Sequence, residues 1–236
     1  MATTAQTQQD TYQKALVSYL ISMAKNVENT INRAIDALLQ RNEPLASEIF
    51  LNEPRINEME IVIDEHAVRL LRTPGLSEGD IRLAVATLKI NNDLERMGDL
   101  AVNIGQRVVT LAQMEAAERP PELEPMAAAV RAMVSRSLGA LVYRNTQLAN
   151  TVLESDDLVD RYRDIIFEQL LASMSQDARQ AAPNLQFILA TRYLERIADH
   201  CTKIAEDIVY WVRGLDVRHG RGLEQAKSAA AADPSM

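Results

Sequence analysis

Two pairs of carboxylates, each separated by four residues, are the pattern in this chain best suited to chemistry. Glu95 and Asp99 form the first pair, and Glu195 and Asp199 form the second pair one hundred positions later. Residues four apart share one face of an α-helix, so each pair predicts two carboxylates side by side. Their repulsion costs roughly 0.2–0.5 kcal/mol in an isolated helix unless a cation neutralises it. The repeated pairs therefore favour a metal site.

Further polar side chains extend these two stripes. Asn103 continues the first stripe by one turn, whereas Lys203 occupies the corresponding position of the second. A matching stripe lies on the preceding predicted helix of each half, formed by Glu53 and Asn57 in the first half and by Asp156 and Asp160 in the second. Oxygen ligands that converge from two helices suit Mg, Mn or Ca, and could hold Fe or Zn with water completing the shell. Further outer ligands could come from Glu60, Asp64 or Asp164.

A solvent-exposed face is the ordinary alternative for such carboxylates. Glu and Asp on helices mostly face water, and Arg96 and Arg196 stand beside the two pairs. One Glu-x-x-x-Asp sequence therefore carries little information. Its recurrence in two halves, on two helices of each half, favours a site.

An internal repeat must position these side chains. The segment LERMGDLAVNI at 94–104 recurs as LERIADHCTKI at 194–204, and upstream the two halves match at a spacing of 103. The apolar positions recur at steps of three and four, which places them on one helical face. They are Leu94, Met97, Ala101, Ile104, Val108 and Leu111, matched by Leu194, Ile197, Cys201, Ile204, Ile208 and Trp211.

Turn and capping signals predict six helices, three in each half. The first should run from about 12 to 41, where Asn42 and Pro44 close it and open the second, which should end before Pro74. The third should begin at Ser77, which with Asp80 resembles a capping box, and should run to about 115. The fourth should begin near Pro125, the fifth near Ser155, and the sixth should span about 183–213. The predicted fold is all-α, with two tandem three-helix bundles at 12–115 and 122–213. The hinge falls at 115–124, and mobile tails are expected at 1–11 and 214–236.

Composition supports a helical protein and argues against several functions. The chain is 47% hydrophobic but only 4% aromatic, with eight Gly and eight Pro in 236 residues. A net charge of −8 argues against nucleic acid as a partner. No apolar stretch is long enough to span a bilayer, and the N-terminus lacks the apolar core of a signal peptide, so we expect a cytoplasmic protein without a transmembrane segment.

The remaining reactive residue types offer little support for catalysis. Cys201 corresponds to Ala101 on the apolar seam, which predicts a small buried side chain. His66 and His200 are expected at the surface or half buried. The sequence has no Glu-x-x-His pair, phosphate-binding glycine loop, serine nucleophile elbow or His-Glu-x-x-His motif. We therefore predict that the protein is not an enzyme.

The two halves, with LERMGDLAVNIG and YLERIADHCTKIAEDIVYWV as their motifs, closely resemble the PhoU family of bacterial phosphate transport regulators over about 12–213. The resemblance implies metal clusters on the bundle surfaces, usually a homodimer, and no catalysis. Glu95, Asp99, Asp156, Asp160, Glu195 and Asp199 match the metal motifs, whereas Asn57 after Glu53 departs from them. It also implies a regulator that links the phosphate ABC transporter ATPase to a sensor histidine kinase, represses the phosphate-starvation response, and reaches the inner membrane through these partners.

Two other functions are consistent with the carboxylates. A metal-dependent helical-bundle enzyme would need a polar pocket with a base and an open metal position, and the sequence offers no dedicated one. A metal-buffering structural protein would need only the carboxylates. Turnover of phosphate esters would identify the first, and intact phosphate-dependent repression after deletion would favour the second. Metal identity and the partner-binding surface are not specified by the sequence.

Overall fold

The computed structural model describes residues 2–114 and 118–218, and every regular element within them is helical. In chain order the elements are α1 (Ala2–Gln40), α2 (Glu43–Phe50), α3 (Glu53–Leu71), α4 (Glu78–Ala112), α5 (Leu123–Tyr143), α6 (Thr146–Leu153), α7 (Asp156–Gln176) and α8 (Ala181–Arg213), with a 3-10 turn at Ala178–Gln180. The predicted all-α class is confirmed. Among these residues, no helix is long and apolar enough to cross a membrane.

The long helices form the predicted pair of three-helix bundles. α1, α3 and α4 pack together in the first half, and α5, α7 and α8 pack together in the second. Two short helices were not predicted: α2 packs on α1 and α4, and α6 packs on α5 and α8. Each short helix occupies the corner between the first and second long helices of its half, so the unpredicted elements obey the same repeat.

Both corners are built in the same way from sequence. Arg41 and Arg144 each adopt a left-handed backbone conformation with φ of 51°, which ends the preceding helix. The following Asn begins the short helix: Asn42 Oδ1 accepts the Leu45 N–H at 3.0 Å, and Asn145 Oδ1 accepts the corresponding N–H in the second half. Each corner thus redirects the chain within two residues.

The capping box predicted for the third long helix is confirmed. Ser77 Oγ accepts the Asp80 N–H at 3.2 Å, and Asp80 Oδ2 accepts the Ser77 N–H at 2.8 Å. α8 ends at Gly214, whose φ of 69° is the left-handed conformation that favours glycine at this position. The start of α4 and the end of α8 lie close together, as the contact between the Arg82 side chain and Gly214 shows.

The two bundles share a long interface in which α4 packs along α8. Besides apolar side chains, three polar pairs cross it. Lys89 Nζ lies 2.9 Å from Asp207 Oδ1, His200 Nδ1 lies 2.8 Å from Asp93 Oδ1, and Arg107 Nη1 donates to Gln186 Oε1 at 3.2 Å. His200 is buried, so the expectation of a surface or half-buried side chain was wrong. Its partner is on the other half of the chain, which sequence spacing cannot reveal.

Two of the predicted boundaries differ from those observed. α1 begins at Ala2, ten residues before the predicted start, so residues 2–11 extend the helix rather than form a tail. Val217 is buried in the core, although the sequence placed it in the C-terminal tail. Residues 115–117 of the predicted hinge and 219–236 of the predicted tail lie outside the described residues. Arg119, after the first gap, donates to the Leu39 carbonyl at 3.0 Å and so ties the connection to α1.

Candidate metal centres on the two repeats

In the first repeat, α3 and α4 bring together three carboxylates, Glu60, Glu95 and Asp99. Gly98 allows the helices to approach, because a Cβ there would lie 3.1 Å from the Ile56 side chain. Burial and then the Asp99 carboxylate raise the pKa of Glu95, with Glu60 adding to the shift. Burial raises the pKa of Glu60, the Asp64 carboxylate on the same helix makes the next largest contribution, and Asp99 adds a smaller one. The three carboxylates therefore form one electrostatic cluster.

Arg96 partly neutralises this first cluster. Its Nε lies 3.4 Å from Glu95 Oε2, and its Nη1 lies 3.7 Å from Asp99 Oδ2. The Glu95 side chain is only 15% exposed, whereas that of Arg96 is 54% exposed. A surface ion pair of this kind contributes little, so the guanidinium could move aside for a cation.

The other first-half candidates lie at the margin of the cluster. Glu53 is the first residue of α3 and half buried, Asn57 is exposed one turn later, and Asn103 is half buried on α4. Neither Glu53 nor Asn57 contributes to the pKa shift of Glu95 or Glu60. The structure therefore groups Glu95 and Asp99 with Glu60, which the sequence suggested only as an outer ligand.

In the second repeat, α7 and α8 bring together all four predicted carboxylates, Asp156, Asp160, Glu195 and Asp199. Burial raises the pKa of Asp156 to about 6, and Asp199 and Asp160 make the next largest contributions. Burial also raises the pKa of Asp199, with Glu195 and Asp160 adding to the shift and Lys203 opposing it. These mutual effects place the four groups in one cluster.

One arginine distinguishes the second cluster from the first. Arg163 Nη1 lies 2.7 Å from Glu195 Oε1 and 2.8 Å from Asp160 Oδ1. At the repeat spacing of 103, Arg163 corresponds to Glu60, so a guanidinium replaces a carboxylate at this position. At this position the second cluster therefore has a further counter-ion, whereas the first has a further negative charge.

The donor atoms of both clusters suit hard divalent cations. Each offers carboxylate oxygens from two helices, with the inner glutamate largely buried at 15% exposure for Glu95 and 18% for Glu195. Within the described residues, no three His, Cys, Asp or Glu side chains already have the spacing of a metal cage. A bound cation would therefore draw the carboxylates toward itself, and it would offset the repulsion that raises their pKa values.

Asp156 provides a test of this electrostatic arrangement by its pH dependence. Its pKa of about 6 in the folded protein exceeds the ordinary value of 3.8, so the folded state holds the proton more tightly. Its contribution to stability is fully present below the ordinary value and is lost as pH rises through the folded value. In metal-free protein, the free energy of unfolding of wild type should fall over this pH range, and Asp156→Asn should not show this fall. We expect the fall to be about 1 kcal/mol after allowing for solvent exposure.

The measurement is urea unfolding in chelator across that pH range, with Asp10→Asn as the matched control. Asp10 is exposed on α1 and does not belong to either acidic cluster. A stability difference between wild type and Asp156→Asn that stays constant with pH would contradict the assigned pKa.

The buried thiol and histidine do not join either cluster as ligands in this arrangement. Cys201 is completely buried, as predicted, and burial raises the pKa of its thiol to about 12. His200 contacts Asp93 at the interface between the repeats. Sequence reasoning missed Arg163 and this Asp93–His200 pair. The repeat alignment could have indicated Arg163, because it aligns this cationic side chain with the carboxylate of Glu60.

Comparison with known proteins identifies the family. The PhoU domain matches residues 20–108 and 123–208, one copy in each repeat. A phosphate-specific transport system accessory protein PhoU homolog from Pseudomonas aeruginosa is 37% identical over 205 residues, which cover 86% of this chain and 84% of the relative. The homolog from Clostridium acetobutylicum is 34% identical, with 86% of this chain and 93% of the relative covered.

Two solved structures have the same fold. The crystal structure of PhoU from Pseudomonas aeruginosa matches with a TM-score of 0.85 and 33% identity, covering 87% of this chain and 99% of that one. The phosphate transport system regulatory protein PhoU from Streptococcus pneumoniae matches with a TM-score of 0.80 and 25% identity, covering 89% and 99%. With a PhoU domain in each of its two repeats, the chain belongs to the PhoU family, and it has a role in phosphate transport.

Proposed function

We propose that this protein is a non-catalytic regulator that links the phosphate ABC transporter ATPase to a phosphate sensor histidine kinase in the cytoplasm. When phosphate is sufficient, it would hold the kinase in the state that represses the starvation response. Support comes from family membership and from relatives named as accessory proteins of phosphate-specific transport. Two similar bundles in one chain would allow one protein to contact two partners.

We also propose that the two acidic clusters hold divalent or iron ions, such as Mg, Mn, Fe or Zn. The observation that carries this proposal is the convergence of Asp156, Asp160, Glu195 and Asp199 from two helices. Burial, and then mutual repulsion, raises the pKa values of Asp156 and Asp199. A cation there would stabilise the ionised carboxylates and fix α7 against α8. The first cluster would act in the same way on α3 and α4.

The outer faces of α3 and α7 offer apolar side chains for partner or homodimer contacts. Ile61 and Val68 are exposed on α3, and Ile165, Phe167 and Leu171 are exposed on α7. Ile61 and Val68 are seven residues apart and Phe167 and Leu171 are four apart, so each pair shares one helical face, as neighbouring apolar side chains in a protein-binding surface do. Each set lies on the same helix as some of the clustered carboxylates, so metal binding and docking would be coupled.

A pull-down with the cytoplasmic part of the kinase and with the transporter ATPase tests the docking proposal. We expect Phe167→Ser with Leu171→Ser to weaken capture of one partner by roughly tenfold or more, because central apolar contacts supply most of the binding energy. The matched control is Leu51→Ser, which changes a side chain that is 82% exposed outside these two faces.

Chelator and added Mn should be compared in the same pull-down. Capture of both partners that is unaffected by the α7 variant, by an Ile61→Ser and Val68→Ser variant, and by metal would contradict docking through these faces. An empty pull-down with and without metal would count against the adaptor role itself.

A further inference from the structure

A wide groove with a volume of about 1260 Å³ lies at the end of the molecule where α8 terminates. None of the residues that line it belongs to the acidic clusters. It is formed by the early part of α1, the start of α4, the corner between α5 and α6, and the last turn of α8. Because common small-molecule pockets have volumes of roughly 300–1,000 Å³, this groove has ample room for a small ligand.

The charge of this groove is opposite to that of the whole protein. Although the chain carries a net charge of −8, the groove is lined by four cationic side chains and one carboxylate. The carboxylate, Asp80, already accepts hydrogen bonds from Gln9 Nε2 at 2.7 Å, from Ser77 Oγ at 2.7 Å and from Gln13. The Asp80 oxygens are therefore already hydrogen-bonded to the capping box and to α1. The cations are Lys14, Arg82, Arg144 and Arg213.

The two equivalent corner arginines have different roles. In the first repeat, Arg41 donates to the Leu111 carbonyl near the end of α4, so its guanidinium is used within the fold. In the second repeat, the equivalent Arg144 places its guanidinium 4.9 Å from the centre of the Trp211 ring. Arg144 is exposed, and within the described residues its guanidinium donates no hydrogen bond. Its N–H groups are therefore available to a ligand.

The Arg82 guanidinium also has a donor group that makes no hydrogen bond to the described residues. Its guanidinium packs against Gly214, and Nη1 donates to Glu78. The buried Nε has no hydrogen-bond partner among the described residues, and a buried donor without an acceptor is costly. With Arg144 at Trp211 and Arg213 beside Gly214, three guanidinium groups lie around the last turn of α8.

We propose that this groove binds a small, multiply charged, phosphate-bearing anion, such as an oligophosphate or a nucleoside polyphosphate. Guanidinium groups bind phosphate oxygens through paired hydrogen bonds, and three of them near one helix end match a compact, high negative charge. An acidic peptide would spread its carboxylates over a longer path. Tyr143, 77% exposed at the rim, could stack on a base if the phosphates belong to a nucleotide. This site is separate from the metal clusters and from the docking faces.

Trp211 provides the measurement, because it is the only tryptophan of the chain and carries Arg144 on its ring. Intrinsic fluorescence of the full chain should be titrated with tripolyphosphate, ATP and orthophosphate at constant ionic strength, with sulfate as the control anion. We expect tripolyphosphate or ATP to change the emission in a saturable way at lower concentration than orthophosphate or sulfate. A lower concentration for ATP than for tripolyphosphate would assign a role to the base.

Arg144→Gln and Arg82→Gln should each weaken this binding by about tenfold or more, since each removes a charge-assisted contact. Arg69→Gln, an equal charge change at an exposed site on α3, should leave it unchanged. Isothermal titration calorimetry repeats the comparison without depending on the indole, which Arg144→Gln itself perturbs. Equal responses to all four anions, no saturable response to any of them, or equal losses in Arg69→Gln would overturn the proposal.

Discussion

Changing Glu95, Asp99, Glu195 and Asp199 to their amides should remove bound metal from the protein while leaving its fold intact. These residues supply the α4 and α8 halves of both clusters, and carboxylate count is a main determinant of affinity for hard cations. We expect a loss of roughly 100-fold or more in affinity. In chelator the variant should be no less stable than wild type, because burial and repulsion already disfavour the ionised forms of Glu95 and Asp199.

Elemental analysis after dialysis against mixed divalent metals measures the bound metal, and thermal unfolding in chelator measures the fold. The two half-variants, one for each repeat, separate the clusters. Since Arg163 already neutralises Glu195 and Asp160, the first cluster should retain metal at lower concentration than the second. Absence of metal from wild type under all conditions would leave the carboxylates as solvent-exposed faces.

Replacing Phe187 with Ala should destabilise the protein by about 3–5 kcal/mol. Phe187 is completely buried on α8, the helix that contacts both its own bundle and α4. Its removal would leave a cavity that the surrounding helices cannot fill. For a chain of this size the midpoint of thermal unfolding should fall by roughly 10 °C.

Leu185→Ala is the matched control, since Leu185 lies two residues earlier and is 48% exposed. Calorimetry of both variants in chelator removes any contribution from metal. Equal shifts for the two substitutions would show that burial at Phe187 does not determine stability.

The fold was predictable from sequence to the extent that it depends on apolar periodicity. The repeated seam through Leu94 and Leu194 identified the two central helices, and Ser77 with Asp80 identified a helix start, because these signals act over one or two turns. The short helices α2 and α6 were missed, although Asn42 and Asn145 are their capping residues. Eight residues are too few to establish a helical period against the neighbouring long helices.

The sequence predicted the carboxylates of the candidate metal clusters, but not the side chains that contact them from other helices. Asp156 and Asp199 were predicted as neighbours, and the structure brings them together. The contacts of Arg163 with Glu195, and of His200 with Asp93, depend on how two helices are rotated and offset. That geometry follows from the packing of the whole core, so no local spacing in the sequence contains it.

The polar contacts between α4 and α8 also determine which halves can assemble. Lys89 pairs with Asp207, but at the repeat spacing of one hundred Asp207 corresponds to Arg107. Two copies of α4 in the same register would therefore set Lys89 against Arg107, and like charges would oppose them. This contact thus favours the pairing of unlike halves over the pairing of two first halves.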